Sequence, residues 1–534
     1  MIFESVAQLK LATLTAGQLV STKGYYASGD GGAADYIVAA TQAVDGYGDH
    51  ALVGGTVALL QYSGSANVKQ FGAKGDGVTD DTLVLVVMLT VGGSVFFPSG
   101  TYLTDTVVFN NVSNIHFTGE NRSNTVIKLN AGQNSHVINY INAFDCSVES
   151  LTIFQDYTNN PTGGHGLRLA GTENIVFRDL IIKDAYSYGI GIQDGSNINT
   201  LITDFIIDNC GRDGIDIKDY NSENSLTISN GFITGHGRDA GVLQQAGIDV
   251  RGHAVVTNVH IEATNNNQTK GLRLRQGGSQ GHSGRGSFSN IYYRSVGFTN
   301  GGNVGLEIGA GTPPDEVTNY VISGFTIEGG GIGALLNGGG GVINGLSIKD
   351  TASDGISYGG NSLTINGLHI EGAGVRAIDV EVGADTLIVN GFNFTNITQT
   401  DCVRIQVSTD NSFFNGNIDS GSRIGDGGTG TTIQNVRNHK TSANLISTDI
   451  PVDSVAVVPF GLTYGLGTGI TPNFEDVTLS VSRSTGAPLD YELGYVHVDS
   501  ITSSTINGRV NVVTASATVG AAIKVSAMVR TKNS

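Results

Sequence analysis

The 534-residue chain carries a net charge of −18, 77 glycines, three cysteines and no tryptophan. That balance offers no basic footprint for nucleic acid, and no run approaches the roughly 20 apolar residues that span a membrane. Cys146, Cys210 and Cys402 are odd in number and far apart, show neither a disulfide framework nor metal-ligand spacing, and read as buried free thiols. From the start, residues 1–66 read as a small module. An amphipathic opening (Val6, Leu9, Leu11, Leu14) leads into short strands near Gln18–Tyr25, Ala34–Ala40 and Thr56–Gln61, parted by Gly/Asp turns.

The segment from Val68 to Leu103, VKQFGAKGDGVTDDTLVLVVMLTVGGSVFFPSGTYL, follows. Asp80 and Asp81 are expected at the N-terminal end of an apolar helix over residues 80–90, favoured by its dipole. Such a helix plugs the open end of a coil that otherwise exposes strand edges. Gly92–Leu103 then reads as a first coil turned by Pro98 and Gly100. Asp76, Asp80 and Asp81 are a carboxylate cluster for which helix capping and a metal are both open, capping being the preferred reading. This segment closely resembles the opening of the pectate-lyase-like β-helix superfamily, which includes many phage tailspikes. The resemblance implies an all-β chain with a right-handed, single-stranded parallel β-helix.

From there to about residue 420 one phrase recurs: strand, corner, strand, then a Gly-led strand. The corners align at Ser150, Asp179, Asp204, Asn230, Asn258, Asn290, Gly324, Gly345, Gly367, Gly391 and Asn415. Units of ~21–34 residues that bury their apolar face only by stacking are the mark of a solenoid. The units between Ser150 and Gly324 are the long ones, with extra residues at 155–164, 235–246, 263–270, 276–286 and 309–319. In a solenoid such insertions become loops that wall one face, so a groove is expected over coils 155–320.

Strand alternation then says what faces that groove. In Gly214–Asp219 the side chains of Ile215 and Ile217 point into the coil, so Asp216 and Lys218 point out. Across the Gly-led strands this gives one outward column, Arg168, Gly191, Asp216, Asp249, Arg273, Glu307, and beside it Ala170, Gln193, Lys218, Arg251, Arg275, Gly309. Coils about 4.8 Å apart put Asp216 and Asp249 near the carboxylate spacing of retaining glycosidases, and Asp249 and Glu307 nearer that of inverting ones. Asp216, Asp249 and Glu307 are therefore candidate catalytic carboxylates, with Lys218, Arg251, Arg273 and Arg275 as substrate contacts. A solvated face of cross-strand ion pairs explains the same ladder without chemistry. Asp213 in RDGIDI is similar to the catalytic Asp of polygalacturonases, and His236 (in GHG) and Arg273 (in GLRLR) follow in that family's order. The intervening Asp–Asp pair is missing and Leu274–Arg275 stands in place of Ile–Lys. Asp239 and Glu262, read as lying on inserted segments, are further candidate acids or bases. Tyr157, Tyr186, Tyr188, Tyr220, Tyr292 and Tyr293 fall in or beside the same coils, where an exposed ring would take a sugar face; part of the set is core, and none is assigned a role.

Residues 421–447 read as a Gly-rich and polar linker, and 448–534 as an antiparallel sandwich-like module with strands near 477–481, 491–498, 509–513 and 522–529. Head, β-helix and C-terminal β module follow the domain order of tailspikes. The resemblance thus implies a virion-attachment head at 1–66, a β-helix at 67–420, and a C-terminal module for trimerisation or carbohydrate binding. It implies a homotrimer, joined to a phage tail or baseplate, that binds and cuts a bacterial surface polysaccharide outside the cell, without nucleic acid or membrane insertion. The start MIFESVAQLKLATLTAG lacks a secretory leader, consistent with release by lysis in a virus particle. The expected activity is endo-glycosidase ahead of polysaccharide lyase, with a non-catalytic receptor-binding fibre as the rival. No cofactor is expected, unless a lyase uses Ca²⁺.

Overall fold

The computed structural model describes residues 1–218, 226–239, 241, 244–265, 268–277, 282–296, 302–309, 317–399, 401–406, 412–418, 423–426 and 432–437. Beyond these it describes backbone strands at 446–451, 457–463, 477–485, 492–501, 505–513 and 522–529. Tyr220, parts of the insertions at 235–246, 263–270, 276–286 and 309–319, and most of the 421–447 linker lie outside the described residues. No described helix is long and apolar enough to cross a membrane. The chain forms two compact units, Met1–Ala352 and Ser353–Ser534.

The first unit includes the N-terminal segment. Its helix, Val6–Lys10, and its strands Ile2–Phe3, Leu19–Thr22, Ala34–Ala39, His50–Ala51 and Val57–Gln61 make a five-stranded sheet against the start of the coils. Side chains stitch the two together. Asn67 Nδ2 donates to the Gly31 carbonyl at 3.3 Å, Gln70 Nε2 to that of Ala33 at 2.8 Å, and Tyr26 Oη to that of Gly72 at 2.7 Å.

The capping helix spans Thr82–Val91 and buries Val84, Leu85 and Met88. Asp81 stands at its N-cap position but does not cap it, because its carboxylate accepts from the Lys74 and Gly75 amides at 2.8 and 3.0 Å. Asp80 takes over, accepting from the Thr82 amide at 3.0 Å. Asp76 closes its own turn by accepting from the Val78 and Thr79 amides, which hold its carboxyl down at about 2. All three carboxylates are thus engaged by local backbone donors.

Two sets of parallel strands build the coils. One holds long strands of 9–11 residues, such as Phe144–Phe154, Glu173–Lys183, Thr200–Asp208, Leu226–Thr234, His253–Ala263, Arg285–Ser295 and Tyr320–Glu328. The other holds short Gly-led strands: Leu167–Ala170, Ile190–Ile192, Ile215–Ile217, Ala246–Val250, Lys270–Leu274, Val304–Ile308 and Ile332–Leu336. Each long strand is bent at its corner residue, which is left-handed: φ is 55° at Ser150, 53° at Asp179, 56° at Asp204, 55° at Asn230 and Asn258, 51° at Asn290, and 65° at Gly324. Asn, Asp and Gly tolerate this conformation, and the Asn side chains gain a ladder from it. Asn258 donates to Asn230, and Asn290 to Asn258, both at 3.2 Å. Replacing Asn258 with Ala removes both bonds and the left-handed preference. We expect a loss of about 1–3 kcal/mol, read as a lowered thermal midpoint, and a smaller loss for Asn258→Gly, which gives up the same two bonds but not the left-handed preference.

In the second unit the same pattern continues at Ile356–Tyr358, Leu363–Glu371, Ile378–Val380 and Leu387–Thr395, with left-handed glycine corners at Gly367 and Gly391. Further on, strands Ile446–Pro451, Ala522–Val529 and Val477–Thr485 form one antiparallel sheet. Val457–Thr463, Thr505–Val513 and Glu492–Ile501 form another.

Candidate functional site

The short strands place the expected column in register. Arg168 pairs with Gly191, Gly191 with Asp216, Asp216 with Asp249, Asp249 with Arg273, and Arg273 with Glu307. Its neighbours Ile215, Ile217, Ile248, Val250, Leu272 and Leu274 are fully buried in the coil, as the alternation requires. The column carries the ion pairs of a scaffold ladder, but it is not solvated. Asp216 and Asp249 are 0 % exposed, and Arg273 and Glu307 only 3 %. Outward-facing side chains here cover one another, because each carboxylate is roofed by the long cations of adjacent coils.

The network is dense. Asp216 accepts from Gln193 Nε2 at 2.7 Å, Lys218 Nζ at 2.8 Å and Arg251 Nη2 at 2.5 Å. The same Arg251 nitrogen reaches Asp249 at 2.8 Å. Asp249 also receives Arg273 Nε at 3.0 Å and a bidentate pair of bonds from Arg275, the shorter at 2.6 Å. Lys270 Nζ pairs with Glu307 at 2.9 Å, leaving the other Glu307 carboxylate oxygen buried without a partner. Glu307 is thus tied to Lys270 on the far side of Arg273, and no carboxylate pair forms with Asp249. The exposed margin is cationic: Lys218, Arg251 and Arg275 keep 23, 14 and 28 % of their side chains accessible.

Asp213 joins this group from the turn before its strand. It accepts from the Ala246 amide at 2.5 Å, and Arg273 Nη2 lies 3.7 Å away. Burial, together with the Asp249 charge, pushes its carboxyl up to about 7 despite Arg273. Burial works on Asp249 in the same direction, but Arg273, Arg275 and Arg251 outweigh it and hold that carboxyl well below the usual range. The group raised in the fold carries a linkage. Asp213 binds its proton more tightly folded than unfolded, so its stabilising contribution is full below about pH 4 and fades up to about pH 7. Asp213→Asn is expected to lack this decline. Relative to the variant, the wild-type melting temperature should fall between pH 4 and 7, and calorimetry across that range is the check.

A third column, at the residue before each Gly, emerges from the turns. Backbone bonds stack His165, Tyr188, Asp213 and Ala246 on successive coils, and the imidazole of His136 lies 4.6 Å from that of His165. The amide of His165 donates to His136 Nδ1 at 3.1 Å and that of Tyr188 to His165 Nδ1 at 3.4 Å, which leaves the ring protons on Nε2. Burial lowers both imidazoles, His136 to about 4, and neighbouring cations add to it, so both are neutral near pH 7. Tyr188 completes the line. Its hydroxyl accepts from Lys218 Nζ at 3.1 Å, and that ammonium also lies 4.8 Å from the ring centroid. Alternation along the strands gives Tyr188 no role and singles out neither histidine. Their signal was the position just before the Gly, a polar line that alternation inside the strand does not reveal.

The remaining candidates are elsewhere or otherwise engaged. His236 is fully buried, with Nε2 at 3.0 Å from the Lys270 carbonyl, and burial lowers it to about 4. That makes it a core group rather than a substrate contact. Asp239 closes a local turn by accepting from the Gly241 amide at 3.0 Å. Glu262 is not on an insertion but in the long strand His253–Ala263, in register with Thr234 and Arg294, so it belongs to the other sheet. Tyr293 is buried core, and Tyr157 stacks near Tyr186 at 6.1 Å.

Among the described residues, Asp213, Asp216 and Asp249 are the one group of carboxylates able to share an ion, with oxygens within 4.8 Å of one another. An all-oxygen set suits Ca²⁺, yet Lys218, Arg251, Arg273 and Arg275 already occupy the same oxygens. The cluster does not fit a calcium ion.

Residues 65–273 match the family described as rhamnogalacturonase A/epimerase, pectate lyase-like. An alginate lyase of Azotobacter vinelandii is 28% identical over 194 residues, 31% of this chain and 22% of that protein. A mannuronan C5-epimerase of the same organism is 27% identical over 229 residues, 34% of this chain and 23% of that one. The chain therefore spans under a quarter of the length of these relatives. Among solved structures, a tailspike protein of the Escherichia coli bacteriophage HK620 shares the fold, with a TM-score of 0.53 and 9% identity over 87% of this chain and 93% of that one.

Proposed function

We propose that the protein is a phage tailspike that binds an acidic bacterial surface polysaccharide and cuts its internal linkages on the short-strand face of the β-helix. One observation carries this reading: the accessible edge of the buried ladder is cationic. Five cations (Lys218, Arg251, Lys270, Arg273, Arg275) serve four carboxylates, of which Asp213 keeps its proton up to about pH 7. On a chain of charge −18, such a surplus is a local attractor for a uronate carboxylate. The relatives named for alginate and mannuronan chemistry support the substrate class, and the tailspike likeness supports the setting.

Elimination follows from that placement. Lys218, Arg251 and Arg275 neutralise the uronate carboxylate, which acidifies the adjacent C5–H. Tyr188, with its oxygen held by Lys218, acts as the phenolate: it takes the C5 proton and then gives that proton to the departing glycosidic oxygen, which regenerates the phenolate. The C5–H pair becomes the C4=C5 double bond, and the glycosidic oxygen leaves C4 with a proton. Hydrolysis is the second reading. It is favoured by the opposite displacement of Asp213 and Asp249, whose oxygens lie within 4.8 Å, close to the roughly 5–5.5 Å of retaining enzymes. Against it, every Asp249 oxygen is bound by guanidinium groups and is a poor nucleophile.

The same reading makes the chain a homotrimer, attached to the phage tail through its N-terminal segment and acting at the host surface, with the C-terminal sheets aiding assembly or carbohydrate binding. The test is incubation with capsule, lipopolysaccharide and exopolysaccharide preparations, acidic and neutral, followed by product mass spectrometry. Products carrying an unsaturated uronate support elimination, and products heavier by water support hydrolysis. Tight binding without new chain ends would leave only a receptor-binding fibre.

A further inference from the structure

We propose that the long-strand sheet carries a second, non-catalytic carbohydrate site, one that takes the apolar face of neutral pyranose residues. It rests on the reading that the chain handles polysaccharide, but on different residues. A groove of about 600 Å³ runs over three consecutive coils at the corners Asp179, Asp204 and Asn230, a size suited to a sugar or two.

Its wall is held in place before any ligand arrives. Arg122 reaches across from an earlier coil to Asp179 at 3.2 Å and to the Asp204 carbonyl at 3.3 Å. Thr152 Oγ1 in turn donates to the Arg122 carbonyl at 2.6 Å. The floor is apolar, formed by Ile206 and Phe232, both half-buried, over Phe205. Its depth depends on Gly231. A Cβ there would lie 2.0 Å from the Phe205 ring, so any larger residue displaces that ring or fills the groove.

Beyond the groove the floor continues as an aromatic line in register: Phe232, His260 and Tyr292. Their rings meet edge to face at 4.9 and 4.7 Å, and Tyr292 is fixed by a hydrogen bond to Glu328. Because successive rings are nearly perpendicular, at 83° and 82°, the C–H face of a sugar stacks on a single ring of the line rather than on a continuous platform. The planar groups of Arg122, Asp179 and Asn230 at the rim offer paired donors and acceptors for hydroxyls. Charge separates the two sites. Arg122 and Arg178 are balanced here by Asp179 and Asp204, so nothing selects for an anion, unlike the cationic edge of the ladder. A polymer with both acidic and neutral residues can be held here while the other face acts on it.

The experiment is saturation-transfer NMR on the full chain with methyl glucoside, methyl galactoside and N-acetylglucosamine. We expect transfer to ring C–H protons, reduced at least fivefold in Phe232→Ala, kept in Phe232→Tyr and unchanged in Lys218→Ala. The proposal fails if none of the sugars shows transfer, if transfer survives Phe232→Ala, or if Lys218→Ala abolishes it. It also fails if light scattering shows that Phe232→Ala dissociates an oligomer, since the line is then a contact between copies. Transfer that stands while no polysaccharide is cleaved overturns the proposed reaction and leaves this site intact.

Discussion

Tyr188→Phe is expected to lower polysaccharide cleavage by about 10²–10⁴-fold, the usual contribution of a positioned acid or base, with folding and polymer binding retained. Phenylalanine keeps the ring under Lys218 and the buried packing and removes only the hydroxyl that Lys218 Nζ holds at 3.1 Å. The companion variant Lys218→Ala should weaken both turnover and binding, because that cation sits on the accessible edge and also pairs with Asp216 at 2.8 Å. Initial rates by reducing-end and double-bond assays, with KM and kcat resolved, separate the two effects. If Tyr188→Phe cuts as fast as wild type, elimination through this phenol is wrong and the carboxylate reading regains its place.

The second large effect is on stability. Asp216→Asn and Asp249→Asn look, from the sequence, like equivalent ways to remove a catalytic carboxylate. Burial makes them unequal. Asp249 is the common acceptor of Arg251, Arg273 and Arg275, and Arg273 is almost wholly buried. Neutralising it strands converging guanidinium charges, which costs about 3–5 kcal/mol for a broken buried pair. Asp216→Asn should cost less, because Lys218 is partly accessible and Arg251 keeps Asp249. The prediction is a large drop in thermal midpoint for Asp249→Asn and a modest one for Asp216→Asn. Equal midpoints would show that the ladder is screened by water. Loss of activity in Asp249→Asn is therefore no proof of a catalytic role unless folding is measured in the same sample.

The legible part of this protein was what repeats. The left-handed corners from Ser150 to Gly391, recognised as Asn, Asp, Gly and, at the first, Ser at a fixed point in the phrase, have positive φ. The pairing of Asp216 with Asp249, and of Arg273 with Glu307, followed from the same alignment. The capping helix and the first coil also stand where their Asp and Gly residues pointed. Less legible were the details set by competing acceptors. Asp81 could satisfy either the helix or the Lys74–Gly75 amides, and only the path of the preceding turn decides for the latter.

The candidate site divides along the same line. By itself the sequence determined the fold and the column membership, since a parallel solenoid has one register per coil and a side-chain period of two, and both can be counted along the chain. Only the tertiary structure decided exposure and chemistry. It buried the carboxylates that counting had turned toward water, lifted the Asp213 carboxyl, and brought His165, Tyr188 and Lys218 together from three coils. Burial and proton affinity depend on which long side chains fold over which neighbours. That is a matter of packing between coils, and no spacing within one coil contains it.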